Sequence, residues 1–78
     1  MGAVKIVKIS PTEFEGSDGI IVEGIHIYVV PVGGTSGVPE RLFVSDDRLA
    51  QLEYQPKVND TVYVFRTQRG GVQDIIKA

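Results

Sequence analysis

The chain contains no cysteine, no tryptophan and a single histidine. Without thiols, neither a disulfide nor a thiolate metal site is open to it. One imidazole is too few for a zinc centre. The same poverty weighs against nucleophilic catalysis, because His26 is the one conventional base for a triad. The G-x-S-x-G elbow is also missing, since Val38 stands two residues after Ser36. The expectation is a non-enzymatic protein with no metal and no small-molecule cofactor. No apolar run approaches the roughly 18 residues of a membrane helix, and the opening MGAVKIVK has no apolar signal-peptide core. A soluble cytoplasmic protein with no membrane partner is expected. Basic residues are not in excess either, with 8 Lys and Arg against 10 Asp and Glu. A domain that grips phosphates is usually basic overall, so a nucleic-acid surface here has to be a local patch felt within a Debye length.

The 78 residues suffice for one domain, residues 1–78, near the lower size at which a single core holds a fold. A hydrophobic content of 42% with 23% charged residues is that of a globular protein. Stability then has to come from a well-formed sheet or from a partner subunit.

The most informative stretch is residues 20–32, IIVEGIHIYVVPV. Fully extended, it would run about 43 Å. It is apolar on both faces, with Ile21, Ile25, Ile27 and Val29 on one parity and Val22, Tyr28 and Val30 on the other. Gly24 in its middle permits a bend or a close approach of two backbones. Before it, AVKIVKI over 3–9 reads as a strand, interrupted at Ser10 and Pro11 and resuming with a kink through Thr12 to Glu15. Gly16 to Gly19 form a turn, and GGTSG over 33–37 a hairpin loop. Residues 38–44, VPERLFV, make a third strand. Ser45, Asp46 and Asp47 then open a short helix through Leu49 and Leu52 that ends before Pro56. After a turn over 57–60 come TVYVFRT, a tight turn at Gln68 to Gly71, and VQDIIKA.

Three strands, a short helix and two strands is the connectivity of an all-β, five-stranded OB-fold-like Greek-key barrel, β1-β2-β3-α-β4-β5. An SH3-like barrel is the alternative, although it places its helical turn between the last two strands. If Ile25, Ile27, Val29, Leu42, Val44, Val62 and Val64 face the interior, alternation turns His26, Tyr28, Arg41, Phe43, Tyr63 and Phe65 outward. An OB barrel binds oligonucleotides on the face of its second and third strands. Tyr28, Phe43 and His26 are therefore candidate stacking groups, with Lys5, Lys8, Arg41, Arg66 and Arg69 as candidate phosphate contacts. Tyr63 and Phe65 suit either stacking or a dimer interface.

Other motifs carry less. GGTSG lacks the G-K-[ST] ending of a phosphate loop and enters a strand. Arg69-Gly70-Gly71 is a single copy of a triplet that binds RNA as repeats in disordered tails. Glu13, Glu15 and Asp18 lack the calcium-loop spacing and read as a solvated turn.

The opening VKIVKIS with Pro11 and Phe14, the turn at Gly19, the long second strand with Tyr28, and a late proline before TVYVF resemble the small single-stranded-DNA-binding proteins of filamentous phages and related mobile elements. That resemblance implies an OB-type homodimer that coats displaced single strands in DNA replication, with Tyr28, Lys5 and Lys8 as the positions carried over. Residues 12–22, TEFEGSDGIIV, depart from the family, which has basic residues in its early hairpin. The leading expectation is a homodimeric single-stranded nucleic-acid-binding protein, DNA before RNA, with sequence-tolerant stacking. The alternative is a structural or assembly subunit of a phage or mobile element that makes only protein contacts.

Overall fold

The structure is a computed structural model that describes residues 2–33, 38–68 and 71–78. Alternating apolar and polar residues form the strands β1 (Val4–Glu15), β2 (Ile21–Pro31), β3 (Glu40–Ser45), β4 (Thr61–Arg66) and β5 (Val72–Lys77), with helix α1 (Asp46–Gln51) between β3 and β4. The strands make one antiparallel sheet in the order β3-β2-β1-β4-β5. Its outer strands, β3 and β5, curl towards each other until they touch. Arg66 at the end of β4 bridges to Glu40 at the start of β3.

The first strand departs from expectation in an instructive way. Pro11 does not interrupt it: Pro11 pairs with Ile25, and the ladder runs on in register to Glu15 opposite Ile21. β4 pairs with β1 only at Val4 and Lys5, so beyond Ile6 the second side of β1 is an edge. A missing N–H is tolerated there. The irregularity lies instead at Val7. Ile6 pairs with Val29 and Lys8 with Tyr28, which leaves Val7 as an extra residue. Ile6 and Ile9 are three apart and would face opposite sides of a regular strand. The bulge turns both inward, so that Ile6 is fully buried and Ile9 packs on the core. The same offset brings Lys5, opposite Val30, and Lys8, opposite Tyr28, to one outer face.

The core lies inside the curled sheet. Ile6, Ile27, Val29, Leu42, Val44, Val62, Val64, Val72 and Ile75 fill it, and Leu52 closes it just after α1. The expected inward parity holds at Ile27, Val29, Leu42, Val44, Val62 and Val64, with Ile25 half-buried and packed against them. Ser45 caps α1, its hydroxyl accepting from Arg48 N at 3.2 Å, and Asp46 and Asp47 occupy the first turn. At the other end, the Leu49 carbonyl accepts from Leu52 N at 3.2 Å, and Gln55 Nε2 donates to the carbonyls of both Leu49 and Leu52.

The turn into β4 is held by Tyr54. Its hydroxyl donates to Asp60 Oδ2 at 2.5 Å and accepts from Lys57 N at 3.2 Å. Burial, and then the bond to Asp60, hold that hydroxyl above the ordinary tyrosine range. Asn59 takes a φ of 78°, a left-handed conformation that asparagine tolerates. From there its N–H donates to Ile6 O at 2.8 Å. Gly19, with a φ of 80°, closes the β1–β2 turn.

Candidate functional site

Strand pairing arranges the outer face of β1, β2 and β3 in rows. Lys8, Tyr28 and Arg41 lie opposite one another in one row; Ser10, His26 and Phe43 in the next; Thr12, Gly24 and Ser45 after that; and Phe14 with Val22 in the last. Side chains two apart on a strand share a face. The rings in these rows therefore meet.

They form a continuous aromatic line. Phe14 meets Phe43 edge-to-face with centroids 5.1 Å apart, Phe43 meets His26 at 6.0 Å, and His26 meets Tyr28 at 6.4 Å. Edge-to-face packing fixes ring orientation without fusing the rings into a buried block. Tyr28, His26 and Phe43 are half-buried, and Phe14 is 50% exposed. Gly24 makes the line possible. A side chain there would strike the Val44 carbonyl oxygen and come within 2.9 Å of two Phe43 ring carbons. The hollow left by glycine is where the Phe43 ring rests.

The cations gather at one end of this line. Lys8 Nζ sits 5.3 Å from the centroid of the Tyr28 ring, a cation–π distance. Arg41 flanks Tyr28 from β3, and Lys5 lies one row further along β1. Among the described residues, none of Lys5, Lys8 and Arg41 is in an ion pair. All three are exposed, so their charges are available to an anion.

Sequence reasoning grouped Tyr28, His26 and Phe43 with Lys5, Lys8 and Arg41, and the fold brings these six together. Arg66 is not among them. It lines the end of the interior with Val4, Val29, Leu42 and Val64, and its Nη2 donates to Glu40 Oε1 at 2.5 Å. That hydrogen bond holds Glu40 below the usual carboxylate range. Both partners are well exposed, so the pair adds little to stability. Arg69 lies outside the described residues. Phe14 belongs to the aromatic line but was not counted with the stacking residues. The signal was parity: Lys8, Ser10, Thr12 and Phe14 share one face if the strand runs unbroken through Pro11.

Tyr63 and Phe65 point outward from β4, far along the sheet from Tyr28. Tyr63 pairs with Ile76 and Phe65 with Asp74 on β5. Tyr63, Phe65 and Ile76 are 40%, 41% and 47% exposed, a second apolar surface without cations on its own rows. A hollow lies between α1 and β5, bounded by Arg48, Tyr54, Gln73 and Asp74, and none of the aromatic-line residues lines it. Set against known protein families, curated proteins and solved structures, the chain matches none.

Proposed function

We propose that this chain is an OB-fold module that binds single-stranded nucleic acid, DNA before RNA, and works as a homodimer. The sheet order β3-β2-β1-β4-β5 with α1 before β4 supports the barrel reading, since an OB fold is a five-stranded, partly open Greek-key barrel. An SH3-like barrel would have its helical turn between the last two strands, whereas α1 lies between β3 and β4. The observation that carries the functional reading is the aromatic line flanked by unpaired cations on the β1–β2–β3 face. A row of partly exposed rings held edge-to-face offers ring faces to bases, and nearby ammonium and guanidinium groups suit the phosphates between them. Lys8 covers Tyr28 in the free protein. A base stacking on Tyr28 would displace it towards the adjoining phosphate.

The chain has three tyrosines and no tryptophan, so stacking on Tyr28 is directly visible. Adding a single-stranded oligonucleotide at low salt should quench tyrosine emission and retard the protein in a native gel, and both effects should weaken as salt rises. No quenching and no mobility shift would overturn the nucleic-acid reading.

The apolar surface of Tyr63, Phe65 and Ile76 supports a second use, as the contact between two copies. Exposed aromatics of this kind mark interfaces, and a twofold pairing would match the patch to itself. The protein should elute from size-exclusion chromatography as a dimer at micromolar concentration, and the double variant Tyr63→Ser/Phe65→Ser as a monomer. A wild-type monomer would remove this contact. Loss of nucleic-acid binding together with a stable dimer would favour a structural or assembly subunit that makes protein contacts alone.

A further inference from the structure

The cations stop part-way along the aromatic line. At the Tyr28 end stand Lys5, Lys8 and Arg41. Past Phe43 the face carries Thr12, Gly24 and Ser45 and then Phe14 beside Val22, with no cation on either row. Beyond them lies the distal β1–β2 hairpin, where residues 10–25 contain no lysine or arginine. Its carboxylates are Glu13 and Glu23, opposite each other on the parity of Ile25 and Ile27 and so on the reverse side of the sheet from the rings, then Glu15 and Asp18. Glu13, Glu23 and Asp46 bound one shallow hollow immediately behind Gly24. Asp47 lies alongside, in the hollow bounded by Ile20, Ile21 and Val22. Like charges directly opposite in a ladder destabilise it. No basic residue of the hairpin offsets the pair.

On the reading of this face as a nucleic-acid site, we infer that its footprint is short and polar: about three nucleotides, with bases on Tyr28, His26 and Phe43 and phosphates on Lys5, Lys8 and Arg41. The strand leaves the protein at Phe43. A phosphodiester continuing over Gly24 would lose its cationic partners and feel, through the thickness of one sheet and within a Debye length, the negative field of Glu13, Glu23 and Asp46. Phe14, edge-on to Phe43 and 5.1 Å from it, braces the last stacking ring and holds no base. The site therefore takes short single-stranded segments, gaps and ends as well as it takes long strands.

The test is a length series of oligothymidylates, from two to eight residues, titrated against the full chain by tyrosine quenching at low salt. Affinity should climb steeply to three or four nucleotides, and afterwards only in proportion to the number of registers a longer strand offers. The slope of log affinity against log salt should be about −2, as about three phosphates neutralised on a single strand require. The variant Glu13→Gln/Glu23→Gln should leave the trimer's affinity unchanged and raise that of the octamer. Affinity that keeps climbing steeply to eight nucleotides, a slope of about −4 or steeper, or an octamer indifferent to the glutamine changes would each overturn the short footprint while leaving nucleic-acid binding in place. Absence of binding at every length would instead remove the functional reading on which it rests.

Discussion

Replacing Gly24 by alanine should lower the melting temperature by about 12–24 °C. The added methyl has no space: it would collide with the Val44 carbonyl oxygen and approach two Phe43 ring carbons at 2.9 Å. The ring can swing aside. The carbonyl cannot, because it belongs to the β3 main chain where Val44 pairs with Ile25. β2 and β3 must therefore separate at the point where both are packed on the core through Ile27, Leu42 and Val44. Overpacking costs about 1–3 kcal/mol in general, and a backbone obstacle puts this case at about 3. For a domain of this size each kcal/mol shifts the melting temperature by about 4–8 °C. The total stability expected of such a chain is itself only about 4–12 kcal/mol, so the loss is a large share of it. Calorimetry decides the matter: a melting temperature within about 3 °C of the parent would mean that the two strands have room to spare.

Tyr28→Ala should cost nucleic-acid affinity and little stability. Tyr28 is half-buried on the outer face, away from the interior formed by Ile27 and Val29. Truncating it opens no cavity in the core. One base–aromatic stack is worth about 1–3 kcal/mol, which is about a 5- to 150-fold loss of affinity. Lys8 also loses the ring that holds its ammonium near the site. Anisotropy of a labelled oligothymidylate measures the loss, with circular dichroism checking that the sheet persists. Tyr63→Ala, on the β4–β5 surface, is the control and should bind like the parent. Equal losses in the two variants, or none in Tyr28→Ala, would place the bases elsewhere on the molecule.

The two substitutions act on one assembly from opposite sides. Gly24 is the hollow in which Phe43 rests, and Phe43 passes its orientation through His26 to Tyr28. The main chain of β2 and β3 sets where the rings stand, and the rings set what the face offers to a ligand. Glycine in the middle of a strand ordinarily weakens it. Here its missing side chain is what the packing of the outer face requires.

Much of this was determined by local chemistry and was readable residue by residue. Strand segments, the Ser45 cap, the turn at Gly19 and the inward parity of Ile27, Val29, Leu42, Val44, Val62 and Val64 follow from period-two alternation, capping and glycine's conformational freedom. Tyr28, His26 and Phe43 could be named as one face because alternation counts correctly within a regular strand. It fails wherever a ladder slips. Val7 shows why: nothing in AVKIVKI says which residue is extra, and only packing Ile6 and Ile9 into the same core selects Val7 and carries Lys5 and Lys8 to the same outer face. Pro11 reads in sequence as an interruption after which the strand resumes with a kink, because its cost depends on whether a neighbouring strand needs its N–H. Sheet order, with β4 meeting β1 only at Val4 and Lys5, removes that need. Arg66 was grouped with the free cations on residue type alone, yet Glu40, 26 positions away, is brought against it by the curl of the sheet. Neighbours along the chain determined the elements and the facing of their residues. The bulge, the unbroken strand and the loss of Arg66 to Glu40 were decided by tertiary structure, because each depends on what a distant segment places alongside.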